Sequence, residues 1–360
     1  MRRRELLQGL STLALSQMVL GCQSGSPNAL QVYLLRNALP PQLLRQARRA
    51  MSDSPNLKVK ADLSDLFQQL ESWQQQAASA SPPRLVSLGD YWLAPAIQQK
   101  LIQPLDLERS PRWSTLPSRW QDLVRRDRNG SLTDTGDLWG APYRWGMTLL
   151  AYRRDKFKFL GWTPTDWSDL WRPELKNRFS LPDQAREVIG LTLKTLQQSY
   201  NAENPADLEA LLPKLKSLDQ QVKFYDSTHY LEPLIMGDAW AAVGWSADIL
   251  PILKREPEIR VVAPASGTAL WADLWVQSSQ SDSGAINDWV DFWWKPEVAE
   301  ALSQFTAALS PLLQDFSLPK SQLAPLLVDN AIFENSEFLT PLSEETRRQF
   351  QNLWQQMRLP

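Results

Sequence analysis

The chain has one cysteine and one histidine in 360 residues, and both scarcities exclude kinds of chemistry. A single thiol, Cys22, cannot close a disulfide within the chain or build a cysteine-rich metal site. His229 stands in "HYLEP", which matches no metal-binding motif, and a lone histidine is more often structural than catalytic. We therefore expect no metal site, no cofactor and no redox chemistry.

Motifs that cradle phosphates or expose a nucleophile are also missing. The sequence contains no GxGxxG, no GxxxxGK[ST] and no GxSxG. Its 38 basic and 40 acidic residues nearly balance, so the basic surface of a nucleic-acid-binding protein is not expected. Carboxylate pairs for acid–base work stay open, because such pairs meet in space and not in sequence. We expect a binding protein and no enzyme, with an enzyme exported in folded form as the alternative.

No apolar run near the N-terminus is long enough to span a bilayer, since the run over residues 10–20 is short and only mildly apolar. A positive head precedes it and small residues follow it, which is typical of an export signal over residues 1–21. Arg3 and Arg4, with the residues after them, resemble the twin-arginine export motif. An ordinary amphipathic helix is the alternative.

"VLGC", ending at Cys22, resembles a bacterial lipobox, in which the chain is cut before the cysteine and the thiol is acylated. Acyl chains on this residue would hold a soluble domain at a membrane surface. Residues 22–29 then form the lipidated cysteine and a polar tether. Loss of a leader with three arginines and one glutamate leaves a net charge of about −4, which suits a cationic ligand.

Short β-like runs alternate with helical patterns along most of the chain. "LQVYLL" precedes "PPQLLRQARRAM", "RLVSLG" precedes "WLAPAIQQKLI", and "WAAVGW" precedes "ADILPILKR". This alternation predicts an α/β fold with mostly parallel sheets. The last third changes to amphipathic helices, as in "SEETRRQFQNLWQQM".

Polar and aromatic residues that could hold a small ligand occur in three separated stretches. "GDYWLAP" puts Tyr91 after a predicted strand, at the edge where α/β sheets bind ligands. "GTALWADLW" puts Asp273 two residues after Trp271, so that in an extended segment both side chains share a face and could clamp a cation. "PDQAREV" at residues 182–188 is the third stretch.

Four segments follow one another along the chain: "LWGAPYRWG" (138–146), "WSDLWRPELKNRFSLPDQAREVIGLTLKTL" (167–196), "MGDAWAAVGWSADI" (236–249) and "WADLWV" (271–276). They resemble the successive signatures of bacterial periplasmic spermidine/putrescine-binding proteins, which are solute-binding components of ABC transporters. The resemblance covers nearly all of the chain after the leader.

The resemblance implies a two-lobed fold of the type II periplasmic-binding kind, with the ligand between the lobes and two strands crossing from lobe to lobe. One lobe is expected over residues 30–147 with 274–310, and the other over 148–273 with 311–360. An ABC permease, a small cationic amine and the membrane are the expected partners. The protein is expected to be a periplasmic monomer that does not bind nucleic acid.

The resemblance also assigns site residues. Asp273 and Glu187 fall on ammonium-binding carboxylates, and the other expected contacts are aromatic: Trp245, Trp271 and Tyr91. Gln184 and Trp145 are secondary candidates, and Tyr91 packing on the other lobe is an alternative to ligand contact. At the start of the helix, Asp183 is expected to be the cap, Glu187 to face the cleft and Arg186 to pair with an acid.

Two departures from the family pattern bear on the ligand. Gln184 stands where an acid is usual, and "LLRNA" at residues 34–38 replaces an aromatic "NWxEY". The ligand is therefore expected either to carry fewer amines or to be something other than a linear polyamine. An opine, a sugar or an iron complex is the alternative within the binding class, and a scaffold lipoprotein with a closed cleft is the alternative outside it.

Overall fold

A computed structural model describes residues 29–75, 84–279, 281, 285–313, 326 and 329–359. The expected leader and Cys22 lie outside the described residues. The strands are β1 (Gln31–Leu35), β2 (Asn56–Lys60), β3 (Arg84–Gly89), β4 (Ile102–Gln103), β5 (Arg125–Arg126), β6 (Asp137–Leu138), β7 (Ala141–Arg153), β8 (Phe179–Leu181), β9 (Phe224–Tyr225), β10 (Ala241–Trp245), β11 (Ile259–Val262), β12 (Ala269–Ser278) and β13 (Glu337–Phe338).

The helices alternate with these strands, as the sequence predicted. They are α1 (Pro41–Ala50), α2 (Leu63–Gln74), α3 (Leu93–Gln98), α4 (Ser118–Val124), α5 (Arg154–Leu160), α6 (Ala185–Thr195), α7 (Leu211–Asp219), α8 (Glu232–Met236), α9 (Ser246–Ile252), α10 (Ile286–Trp293), α11 (Pro296–Phe305), α12 (Asn330–Asn335) and α13 (Glu344–Met357). Among the described helices, none is both long enough and apolar enough to cross a membrane.

Local sequence explains where the first elements begin and pair. Asp62 caps α2 by accepting a hydrogen bond from the Asp65 backbone N–H at 2.9 Å. The continuous apolar run of β3 suits a strand that is covered on both faces. β1 lies between β2 and β3 and is parallel to both, because α1 and α2 return the chain across the sheet.

The large sheet is mixed, so the prediction of mostly parallel sheets was wrong. Parallel pairing joins β1 to β2 and β3, β8 to β9 and β10, and β12 to β13. Within the described part of this sheet, each antiparallel pairing involves β7 or β12. β7 runs antiparallel to its described neighbours and β12 to all of its described neighbours except β13, and alternation of strands and helices does not reveal that direction.

β7 is the strand that joins the two halves of the sheet. Up to Met147 it pairs with β12, and from Thr148 onward it pairs with β10 and β11. One hydrophobic cluster surrounds β1, β3 and β12, and a second surrounds α6, α7 and α13. The change of partner falls between Met147 and Thr148, but the first cluster also contains residues expected in the second lobe, among them Ala242, Ile249 and Phe338, so the lobe boundaries stay a prediction.

The helices of the last third form as their spacing predicted. α10 and α11 put apolar faces onto the first cluster, with Trp289, Trp293 and Val298 buried. α13 packs against α6 and α7 and buries Phe350 and Leu353 in the second cluster. The end of the chain therefore stabilises the helix that carries Glu187.

Candidate binding cleft

One face of β7 gathers most of the expected site residues. Strand alternation puts Arg144, Gly146 and Thr148 on the same face, along a row about 13 Å long. Residues directly opposite on antiparallel neighbours share that face. These partners are Asp273 opposite Arg144, Trp271 opposite Gly146, and Trp245 opposite Thr148.

Gly146 leaves the space that the Trp271 ring occupies. A Cβ at this position would lie 2.3 Å from the Trp271 ring and 2.3 Å from Ser246 Oγ, so any larger residue must displace one of them. Trp271 is partly buried, and its indole Nε1 is buried without a hydrogen-bond partner among the described residues. The buried indole nitrogens of Trp275, Trp289 and Trp293 in the core also have no partner among the described residues, so this feature alone does not distinguish Trp271 as a ligand contact.

Glu187 closes the Thr148 end of the row. Its side chain is 4% exposed, and its Oε2 accepts a hydrogen bond from Thr148 Oγ1 at 3.1 Å. Burial raises the pKa of Glu187 to about 7, while hydrogen bonds from Thr148 and Trp245 and the charge of Arg186 act in the lowering direction. Near neutral pH this carboxyl group therefore responds strongly to any cation placed beside it.

Asp273, at the other end of the row, is already paired with a cation of the protein. Arg144 Nε and Nη2 each lie 2.6 Å from Asp273 Oδ2, and the two residues are 6% and 3% exposed. Arg144 Nη1 also donates to the Ala38 carbonyl at 3.3 Å, and its guanidinium carbon is 5.7 Å from the centre of the Trp271 ring. The spacing predicted that Trp271 and Asp273 hold a cation of the ligand; in the structure the cation beside them is Arg144.

A buried hydroxyl orients the backbone around Trp245. Tyr230 Oη accepts from the Trp245 backbone N–H at 3.2 Å and donates to Asp248 Oδ2 at 3.0 Å. Burial raises the pKa of Asp248, against the opposing effects of the Tyr230 hydrogen bond and the Arg144 charge. Gly244 permits this contact, because a Cβ there would lie 2.0 Å from the Tyr230 ring.

Asp90 holds β12 in place between its two expected site residues. Its Oδ1 accepts from the Ala272 backbone N–H at 3.0 Å, just beyond the end of β3. Burial raises the pKa of Asp90 to about 7, while this hydrogen bond and the charge of Arg126 act in the lowering direction. The adjacent Tyr91 is 58% exposed and lies within electrostatic reach of Arg186 on the opposite lobe.

The start of α6 differs from the expected arrangement. Gln184, not Asp183, occupies the N-cap position, and its exposed side chain makes no capping hydrogen bond. Asp183 instead accepts from Arg358 Nη2 at 2.6 Å. The expectation that Asp183 caps the helix was therefore wrong, because a distant arginine competes for the carboxylate.

The expectation that Arg186 pairs with an acid was wrong for the part of the chain that the structure describes. Arg186 donates to the Thr340 carbonyl at 3.1 Å and to Asn201 Oδ1 at 2.8 Å. Burial lowers the pKa of Arg186 to about 10, with Tyr91 and Glu187 acting in the raising direction. Arg186 thus fixes α6 against the segment that leads into α13.

Trp145 lies on the other face of β7, opposite Ala272. Its ring packs against Trp120 and Phe333, and its indole Nε1 donates to the Ser310 carbonyl at 3.3 Å. This contact also anchors the chain after α11. The described contacts of Trp145 are therefore those of a core side chain.

The sequence reading missed Arg144, Thr148 and Asp90. The sequence did contain a signal for Arg144 and Thr148, because residues 144, 146 and 148 alternate within a predicted strand and must share a face. Asp90 stood beside Tyr91 in a stretch already singled out. Its contact with Ala272 links residues 182 positions apart, which no local pattern predicts.

An α/β protein in which one strand joins two hydrophobic clusters, and in which acids and tryptophans share a face of that strand, has an architecture that suits a solute-binding protein. Residues 81–332, well over half of the chain, match the family described as bacterial extracellular solute-binding protein. The chain belongs to this family, and its role is to bind a solute and not to catalyse a reaction, as the sequence predicted.

Individual relatives are similar over most of their length. The spermidine/putrescine-binding periplasmic protein of Escherichia coli is 24% identical over 86% of this chain and 84% of the relative. The putrescine-binding periplasmic protein SpuD of Pseudomonas aeruginosa is 26% identical over 85% of this chain and 86% of the relative. The crystal structure of the spermidine/putrescine substrate-binding protein PotD from Streptococcus pneumoniae has a TM-score of 0.77 at 21% identity, covering 92% of this chain and 98% of that one. The fold is accordingly the two-lobed one that the resemblance implied.

Proposed function

We propose that this protein is the lipid-anchored, periplasmic solute-binding component of an ABC importer and that it captures a small, polyamine-like cationic amine. The observation that carries the proposal is the buried carboxyl group of Glu187, at the end of a cleft face that also bears Trp245 and Trp271. A carboxylate with aromatic faces beside it is a suitable site for an ammonium group.

The contacts of Glu187 favour a cationic ligand. Among the described residues Glu187 takes part in no salt bridge, and the hydrogen bond from Thr148 comes from a neutral group. The donor groups of the nearby Arg186 are directed to Thr340 and Asn201. An ammonium group would supply the charge-assisted hydrogen bonds that stabilise an ionised Glu187.

Several further features support an amine as the solute. The relative from Escherichia coli is named for binding spermidine and putrescine and the one from Pseudomonas aeruginosa for binding putrescine, and each matches more than four fifths of this chain. The Trp271 Nε1–H group is a donor and cannot bind an ammonium group, so it could contact only an acceptor atom on another part of the solute. Closure of the lobes around the solute would exclude water and strengthen each of these contacts.

The export and anchoring part of the proposal rests on the N-terminal sequence alone. The arginines at positions 2–4, the short apolar run and "VLGC" together favour export and acylation of Cys22. An acylated cysteine would keep the binding domain beside the membrane that contains its permease. The polar residues after Cys22 give the domain freedom to reach that partner.

A thermal-shift panel on protein starting at Gln23 tests the proposed solute class. Monoamines, diamines, triamines, amino acids and neutral sugars are compared at equal concentration. A ligand that binds only the native state must raise the melting temperature, so we expect amines to raise it and sugars to leave it unchanged. A shift produced by a sugar and by no amine would contradict the proposed solute class.

A further inference from the structure

We propose that Arg144 is a specificity-determining residue that fills the cation position at Asp273, so that the solute carries one ammonium group and no second cation. This inference rests on the proposed function and refines it. The cleft face has an acid at each end, and an unmodified pair of acids would suit a diamine. Arg144 pairs with Asp273 and thereby neutralises the acid at one of the two ends.

The two acids, Glu187 and Asp273, differ in the charge of their hydrogen-bond partners. Glu187 accepts a hydrogen bond from the neutral hydroxyl of Thr148. Asp273 Oδ2 instead lies 2.6 Å from both Nε and Nη2 of Arg144, within the same cleft face. A charge-assisted contact of this length leaves Asp273 little net attraction for a further cation.

Arg144 is held in place from both sides of its guanidinium. Asp273 binds Nε and Nη2, the Ala38 carbonyl accepts from Nη1 at 3.3 Å, and the Trp271 ring centre is 5.7 Å from the guanidinium carbon. An ammonium group arriving beside Asp273 would therefore meet a fixed positive charge. Displacing Arg144 would leave a buried guanidinium without its carboxylate.

The charges around Arg144 also determine which end group of the solute can be placed beside it. Asp273 balances Arg144, and the more distant Asp248 acts on it from α9. A neutral end that carries a hydrogen-bond acceptor meets no like charge here, whereas a second ammonium group meets Arg144 and a carboxylate group meets Asp273 and Asp248. The solute is accordingly an amine whose far end is uncharged.

The test is a calorimetric titration with butylamine, 4-aminobutanoate and 1,4-diaminobutane, which share a four-carbon chain. For the wild-type protein we expect butylamine to bind about tenfold or more tightly than the diamine, because like charges repel at Arg144. We also expect 4-aminobutanoate to bind more weakly than butylamine, because its carboxylate group meets Asp273 and Asp248. A wild-type protein that binds the diamine as tightly as butylamine, or 4-aminobutanoate more tightly than butylamine, overturns the inference.

Arg144→Met keeps much of the side-chain volume and frees Asp273 for a ligand cation. We expect this variant to reverse the order and prefer 1,4-diaminobutane, and we expect Arg144→Met combined with Asp273→Asn to lose that preference. Arg128→Met, at an exposed arginine, is the matched control and should behave like the wild type. An unchanged order in a folded Arg144→Met variant overturns the inference.

If Arg144→Met fails to fold, the titration of the wild-type protein with the three amines still tests the inference. Failure of the proposed function has a different signature. Binding of none of the three amines by the wild type contradicts the amine function itself and, with it, this refinement. Preference for the diamine contradicts only the role of Arg144.

Discussion

Glu187 accepts a hydrogen bond from Thr148 at 3.1 Å, and this contact joins α6 of one lobe to the strand that crosses between the lobes. Thr148 is also the first residue of β7 that pairs with β10, opposite Trp245. The carboxyl group thus sits where the sheet changes partner. Any ligand held by Glu187 would therefore lie close to the point where β7 changes its pairing partner.

We expect amine binding to release a proton from Glu187 below neutral pH. Burial raises the pKa of Glu187 to about 7, so at pH 6 the free protein holds this group mostly protonated, and an ammonium group favours the ionised form. Affinity should therefore increase with pH by up to about tenfold per unit below 7 and level off above it.

Calorimetry with butylamine in buffers of different ionisation enthalpy measures the protons released. The observed enthalpy should depend on the buffer at pH 6 and much less at pH 8. Glu187→Gln provides the control, because it has no proton to release at this position. Equal enthalpies in all buffers at pH 6 would show that Glu187 is ionised before the amine arrives.

Asp90→Asn is expected to become progressively stabilising as pH increases from about 4 to about 7. The pKa of the Asp90 carboxyl group is raised to about 7 in the folded protein by burial. The folded state therefore binds the proton more tightly than the unfolded state, and the wild type loses stability across that interval as pH increases. Asparagine keeps the oxygen that accepts from Ala272 and does not titrate.

Urea unfolding of both proteins at pH 5, 6, 7 and 8 gives the difference in the free energy of unfolding. We expect the difference between the variant and the wild type to grow up to about pH 7 and then stay constant. Asp90→Ala is the comparison that also removes the acceptor, and it should be less stable than Asp90→Asn at each pH because it leaves the Ala272 N–H unpaired. A difference for Asp90→Asn that is flat from pH 5 to 8 would place the Asp90 pKa near its usual value.

Cys22→Ser is expected to release the protein from the membrane or to leave the leader attached. The reason is chemical, since only a thiol at the end of "VLGC" can form the thioether to lipid. Mass spectrometry of protein from membranes should show an acylated N-terminal cysteine in the wild type. A soluble wild-type protein with an unmodified Cys22 would argue against the anchor.

The sequence predicts the parts of this fold that depend on local pattern. Period-two alternation placed Trp271 and Asp273 on one face, and helical spacing located α10 and α13. It could not predict that Arg144 is the cation they hold, because the contact joins residues 129 positions apart through the register of β7 and β12. Competition between groups for the same side chain likewise depends on residues that are distant in sequence.

The start of α6 illustrates that competition. Asp183 is the best capping residue in its stretch by type, yet Arg358 from the end of α13 binds it, and Gln184 takes the N-cap position. The direction of β12 could not be predicted from the sequence, again because it depends on contacts with distant segments. β12 follows β11 closely along the chain but pairs with β3, β7 and β13, so its direction depends on the return of the chain to the first lobe.

Titration of Glu187→Gln with butylamine and 1,4-diaminobutane at pH 8 tests most directly whether this cleft binds an ammonium group. Loss of one partner of a buried charge pair costs roughly 2 to 5 kcal/mol, so we expect affinity to fall about thirtyfold or more while the variant stays folded. Glu209→Gln, at an exposed acid outside the cleft, is the matched control and should bind like the wild type. Equal affinity in Glu187→Gln and Glu209→Gln would contradict the account, because the buried carboxyl group would then have no part in holding the solute.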